Sequence, residues 1–160
     1  FKPLTVLENV VLAACEHAGI AHRLWRPLGH HAAVVDRAMA VLEQLSLSND
    51  AARPVGELAY GRQRLVEIAI AMVMNPRVLL LDEPAAGVPG EDTERVLAAV
   101  ADLADDIAVL IIEHDMDVVF RFATEISVLV EGAILMTGTP QAVANDERVR
   151  AVYLGQGGHG

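Results

Sequence analysis

Lysine is all but missing from this chain: Lys2 is the only one among 160 residues. A phosphate loop of the form G-x-x-x-x-G-K-[ST], whose lysine serves the β- and γ-phosphates of a nucleotide, is therefore absent from these residues. Cysteine is nearly as scarce. Cys15 stands alone, which excludes an intrachain disulfide and a paired-cysteine metal site and fits a reducing compartment. Long hydrophobic runs are lacking too. Ile68–Met74 is the longest apolar stretch, well short of the ~18–20 residues needed to cross a bilayer, so no transmembrane helix is expected. No charged segment ahead of an apolar one marks a secretory signal. Because residue 1 is Phe rather than Met, the chain is expected to begin inside a longer gene product or after processing.

Positive charge is also in short supply. The formal net charge is −10 and the isoelectric point near 4.9. With no Lys/Arg cluster to offset this, a phosphate backbone would be repelled, and no nucleic acid is expected as a partner. What the chain does have is apolar content. Hydrophobic residues make up 53% of it and mean hydropathy is +0.37, enough for a substantial core in one domain or a large part of one.

The hydrophobic pattern divides into two styles. Residues 1–50 are read as helical. Thr5 caps a helix with Leu7, Val10, Val11 and Ala14 on one face, Glu8 completing a capping box and Gly19 ending it. Arg26-Pro27-Leu28-Gly29 is read as a loop, and a second helix covers Ala33–Leu45. Ser46–Pro54 is polar and turn-like. Gly61 opens a third helix bearing Leu65, Ile68, Ala69, Met72 and Val73, stopped by Asn75-Pro76.

Val78–Leu81 and Val109–Ile112 are continuous aliphatic runs, the pattern of strands buried on both faces of a parallel sheet. A helix over Thr93–Leu103 lies between them and makes a βαβ unit. Further on, Ile126–Val130 and Ala133–Thr137 flank Glu131-Gly132 as a hairpin. Thr139-Pro140 starts a short helix, Asn145 is expected to cap the last one, and Gln156–Gly160 is read as a tail.

Chemistry concentrates at three places. In Leu58-Ala59-Tyr60-Gly61-Arg62-Gln63-Arg64 a glycine at a helix start lets backbone N–H groups approach a phosphate, in the favourable field of the helix dipole. In Val78-Leu79-Leu80-Leu81-Asp82-Glu83-Pro84 a strand leaves two carboxylates at its C-terminal end, where ligands bind in open α/β sheets. There Asp82 suits Mg²⁺ held through water, and Glu83 suits polarisation of an attacking water. In Val109-Leu110-Ile111-Ile112-Glu113-His114-Asp115 a second strand delivers His114, which can donate to a terminal phosphate and sense its loss. The other histidines have no such frame and read as surface residues.

Each segment alone has an ordinary reading as a helix junction, a solvated strand end or a lone histidine. Their order and spacing change that. Gly61 precedes Asp82 by 21 positions and His114 follows it by 32. Together with Gly87-Val88-Pro89-Gly90, the set resembles the ABC-transporter ATPases, whose order is a signature loop of the LSGGQ kind, then Walker B, D-loop and H-loop. Phe1–Val10 resembles the segment after that family's Q-loop, and Gly132–Pro140 its C-terminal hairpin. The finer resemblance is to ATPases of branched-chain amino acid uptake, through Tyr60, Glu67-Ile68-Ala69, Glu83-Pro84-Ala85-Ala86-Gly87, Glu113-His114-Asp115-Met116 and Ala151-Val152-Tyr153-Leu154-Gly155. Urea-uptake and lipopolysaccharide-export ATPases share several of these.

The resemblance implies an α/β fold: part of the P-loop NTPase fold of ABC ATPases, with a helical subdomain, then parallel strands, a C-terminal hairpin and helices. It divides the chain into a helical part (1–57, running on through the signature helix to about 75), a core (58–137) and C-terminal helices with a tail (138–160). It implies Glu83 and His114 as catalytic residues, Ala59, Tyr60, Gly61, Arg62 and Gln63 at the nucleotide, and Asp82 at Mg²⁺, with ATP as substrate. The implied partners are integral-membrane permease subunits, onto which the helical part docks, and a second ATPase subunit, on the inner face of the plasma membrane.

Two positions depart from the family pattern. Ala59 stands where the signature serine would donate to the γ-phosphate, removing a hydrogen bond of about 0.5–1.5 kcal/mol net. Pro89 stands at the acid or amide position of the D-loop and cannot donate from its nitrogen. With no phosphate loop among them, these 160 residues by themselves are expected to be non-catalytic, a fragment or a degenerate module acting in subunit association. The two aliphatic strands are expected to be interior strands whose neighbours include the phosphate-loop strand, so the isolated chain is expected to self-associate or to repack its helices.

Overall fold

The computed structural model describes residues 1–19, 32–84, 86–88, 90–101, 103 and 107–153. The loop expected at Arg26–Gly29 and the tail expected at Gln156–Gly160 lie outside them. The chain divides into two compact units, Phe1–Ile112 and Glu113–Gly160.

In the first unit, α1 (Val6–His17) begins at the capping box read from the sequence. Glu8 N–H donates to Thr5 Oγ1 at 3.2 Å, and Thr5 N–H donates to Glu8 Oε2 at 2.7 Å. Gly19 adopts φ +67 just past the helix, the left-handed conformation a glycine reaches without a Cβ penalty. The apolar stripe of α1 (Val6, Val10, Val11, Ala14, Cys15) is buried against α2 (Ala32–Gln44) and α3 (Tyr60–Met72). Leu42, Leu45, Leu47 and Val66 close the same core. Each such fully buried Leu or Val stabilises the fold by roughly 1.5–3 kcal/mol.

The turn-like segment after α2 proves less exposed than its polarity suggests. Leu47 and Asp50 are both buried, and Asp50 sits in a short 3₁₀ turn (Ser48–Asp50). A second 3₁₀ turn, Val55–Glu57, leads into α3. Asn75 at φ +58 and Pro76 then end the helical run as expected.

β1 (Val78–Asp82) and β2 (Ala108–Ile112) pair in parallel, Val78 opposite Ala108 and Asp82 opposite Ile112. The crossover helix is α4 (Gly90–Ala101), which starts three residues ahead of the predicted position. The expectation of burial on both faces is not met. Leu79 is buried, whereas Val78 and Leu80 are 56% and 69% exposed, and Leu110 and Ile112 are each 59% exposed. Parallel strands become all-apolar when helices cover both faces. Here Leu79, Leu81 and Ile111 pack into the helical core while the alternate residues do not. Among the described residues each strand has only the other as a neighbour.

In the second unit, β3 (Ile126–Val130) and β4 (Ala133–Gly138) form the expected hairpin. Glu131 and Gly132 have φ +49 and +80, the two left-handed residues of a tight turn matching strand twist. Two helices flank it in sequence. The sequence left residues 116–122 unassigned; they form α5 (Met116–Phe122), capped by Asp115. Thr139 and Pro140 start α6 (Pro140–Asn145) as predicted. The cap of α7 (Glu147–Tyr153) is Asp146 rather than Asn145: its Oδ1 accepts from the N–H groups of Arg148 at 2.8 Å and Val149 at 3.3 Å. Asn145 closes α6 instead, donating to the Gln141 carbonyl at 2.9 Å.

Candidate functional site

The C-terminal end of β1 is built around a bend at Glu83. Asp82 is the last strand residue, and Glu83 turns to φ +45, a conformation uncommon for a residue with a Cβ. Two hydrogen bonds hold it there. Glu83 N–H donates to the Ile112 carbonyl at 2.9 Å, tying the bend to the end of β2, and Ala86 N–H donates to the Glu83 carbonyl at 3.0 Å. Strained backbone of this kind persists where the surroundings over-determine it, and such residues cluster at active sites. Asp82 and Glu83 are both exposed, so the bend presents two adjacent carboxylates to solvent at the sheet edge.

The start of α3 lies beside it. Ala59 occupies the N-cap with no side-chain hydrogen bond, since a methyl group cannot accept one. Gly61 is buried and Tyr60 is 44% exposed. Two of the predicted nucleotide contacts are turned into the protein. Gln63 Nε2 donates to the Leu58 carbonyl at 2.8 Å, bracing the loop ahead of the helix. Arg62 donates to the buried Asp50 carboxylate through Nε and to the Ser46 carbonyl at 2.7 Å through Nη2. Asp50 also accepts from Arg53 Nη1 at 2.9 Å. The signature segment is thus stapled to the end of α2.

Between α3 and β1 lies a cavity of about 230 Å³ lined by Arg64, Glu67, Ile68, Asp82 and Pro84 among others. Arg64 and Glu67 form an ion pair at 2.6 Å, which holds the Arg64 guanidinium above its ordinary pKa. Arg64 also lies over the Tyr60 ring, 5.2 Å from its centroid. Its Nε is buried with no hydrogen-bond partner. Arg64 and Glu67 were not singled out as site residues from the sequence. The signal was there, since Tyr60, Arg64 and Glu67 fall at i, i+4 and i+7, one face of a helix.

His114 belongs to the second unit, exposed and one residue ahead of the α5 cap. Asp115 Oδ1 accepts there from Asp117 N–H at 3.0 Å. Among the described residues no group of three or more His, Cys, Asp or Glu side chains is gathered to hold a metal by itself.

Residues 1–86 match the family model described as ABC transporter. The chain belongs to the ABC transporter family. Residues 133–159 further match the model described as branched-chain amino acid ATP-binding cassette transporter. BraF of Pseudomonas aeruginosa, a high-affinity branched-chain amino acid transport ATP-binding protein, is 37% identical over 98% of this chain and 64% of its own length. LivG of Escherichia coli, described in the same words, is 36% identical over the same shares. The chain therefore spans less than two thirds of the length of these relatives. Among solved structures, an ATP-binding cassette of an ABC transporter in its ADP conformation superposes with a TM-score of 0.79 at 32% identity, over 96% of this chain and 64% of that one. CbiO1 from Clostridium perfringens, part of an ABC transporter complex, shares the fold with a TM-score of 0.75 at 24% identity, over 98% of this chain and 61% of that one. The α/β ABC-ATPase fold expected from the motif order is what these likenesses establish. No helix among the described residues is long and apolar enough to cross a membrane.

Proposed function

We propose that the protein is the ATP-hydrolysing subunit of an importer of branched-chain amino acids. These residues would supply the part of the site that closes over ATP and positions water, not the loop that cradles the phosphates. The observation that carries this reading is the bend at Glu83, which sets two carboxylates at the C-terminal sheet edge and pins them to the end of β2. Glu83 polarises the attacking water, and His114 donates to the terminal phosphate. A lone Asp82 suits Mg²⁺, an ion that keeps several waters and takes its remaining ligands from substrate phosphates. Such an ion would neutralise charge developing on the phosphates.

The signature segment contributes mainly backbone. Ala59, Tyr60 and Gly61 bring N–H groups at an uncapped helix start to a phosphate held by a second ATPase subunit. Arg62 and Gln63, whose side chains are engaged inside the chain, hold that start in place. The helical part, 1–57 and on to about 75, is the permease-facing surface, which places the protein peripherally on the inner face of the plasma membrane. The relatives' names support branched-chain amino acids over urea or lipopolysaccharide as the transported class.

Two measurements test the reading. ATP turnover by the full-length gene product should fall at least about 100-fold in Glu83→Gln, the loss of one positioned base; unchanged turnover would sink the assignment. The 160-residue chain, with Lys2 its only lysine, should show no micromolar affinity when titrated with Mg-ATP. Micromolar binding would overturn the division of the site.

A further inference from the structure

We infer that Tyr60, braced by Arg64, is a positioning residue for the turn that carries Glu83, linking the signature helix to that turn within one subunit. The contact is read at Gly87. A Cβ built there would lie 3.6 Å from Tyr60 Cε1 and 4.0 Å from Cζ and Oη, in ordinary van der Waals range, so the ring of Tyr60 lies beside Gly87 on the side a Cβ would occupy. Gly87 has φ +72, which a side chain strains. Glycine is thus required here by the backbone conformation rather than by the space beside the ring, which would admit a Cβ. The ring is held from its other neighbour. Arg64, one helical turn on, stacks over it at 5.2 Å, and Glu67 orients the guanidinium through a 2.6 Å ion pair. The turn itself is closed by Ala86 N–H donating to the Glu83 carbonyl. A chain of contacts therefore runs Glu67–Arg64–Tyr60–Gly87 to the bend at Glu83. A cavity lined by Arg64 and Glu67 on α3, by Asp82 at the end of β1 and by Pro84 adjoins this chain of contacts. Tyr60 is thus a contact through which a displacement of the signature helix reaches the turn that carries the carboxylates.

The consequence for ATP hydrolysis rests on the role proposed above for Glu83, but the linkage does not, and it is tested without nucleotide. Amide hydrogen exchange of the 160-residue chain reads the Ala86 bond directly, and the Gly87 Hα resonances report the ring current of Tyr60. Tyr60→Ala should speed Ala86 exchange by about threefold to tenfold, with Leu79 and Leu81 in β1 unchanged within about twofold. It should also remove the ring-current shift at Gly87. Tyr60→Phe, which keeps the ring, should restore both. Arg64→Met, which keeps the stem and removes the guanidinium, should fall between. Unchanged Ala86 exchange in Tyr60→Ala would overturn the inference. So would equal acceleration across β1, which would make Tyr60 only a part of the fold, or failure of phenylalanine to rescue. A wild-type result for Glu83→Gln turnover would leave this linkage standing and remove only its catalytic meaning.

Discussion

Asp50 is the residue whose replacement should test the packing of the first unit most sharply. It is 6% exposed and accepts from both Arg53 and Arg62. Arg62 also reaches the Ser46 carbonyl, so this one carboxylate ties the end of α2, the 3₁₀ turn and the signature helix together. Asp50→Asn keeps the volume and removes the charge. A hydrogen bond to a charged group contributes about 1.5–3 kcal/mol, and breaking a buried pair costs about 3–5 kcal/mol. The arginines are not fully buried: Arg62 is 34% exposed and Arg53 51%. Water recovers part of the loss, and the expected cost is about 2–3 kcal/mol. At a urea dependence of about 1–1.5 kcal/mol/M, the unfolding midpoint followed by circular dichroism should fall by roughly 2 M. Arg62→Ala should approach this value because it removes the hydrogen bond to the buried Asp50 carboxylate together with the one to the Ser46 carbonyl. Arg53→Ala should cost below about 1 kcal/mol, as a half-solvated ion pair does. A midpoint shift under ~0.3 M for Asp50→Asn, or a larger effect at Arg53 than at Arg62, would refute the staple.

Two other outcomes follow from the same structure. Leu79→Ala should destabilise the first unit by about 3 kcal/mol and Leu80→Ala by less than ~0.5 kcal/mol, because only Leu79 is buried; equal costs in thermal or urea melts would mean both faces of β1 are covered. The Asp146 carboxyl is held down to about 2 from an ordinary 3.8, chiefly by its hydrogen bond with Arg148. A depressed pKa means its stabilisation of α7 is complete above about pH 3.8 and lost as pH falls through about 2. Carbon-detected titration of Asp146, with the Arg148 and Val149 amide shifts, should show that low midpoint, and a midpoint near 3.8 would remove the cap.

The features legible in the sequence were those whose physics is local. Thr5 with Glu8, Thr139 with Pro140, and Glu131-Gly132 each satisfy backbone groups or φ values within four residues, so composition and spacing suffice to place them. The cap of α7 was misplaced by one residue because Asn145 and Asp146 are equally good caps on paper. The donors at Arg148 and Val149 decided between them. α5 was missed because a seven-residue helix has too few positions to show a period.

The sequence by itself determined the family, through three segments in a set order and spacing, and it marked Asp82, Glu83 and His114 as the polar residues following aliphatic strands. Only the tertiary structure decided which alternate residues of β1 and β2 enter the core, because a continuous aliphatic run carries no information about which face a neighbour covers. It likewise turned Arg62 toward Asp50, drew Asp50 out of water, bent Glu83 against Ile112 and set Tyr60 beside Gly87. Those contacts join residues 12 to 29 positions apart. Their energies depend on burial and on the path of the chain between them, neither of which a local pattern encodes.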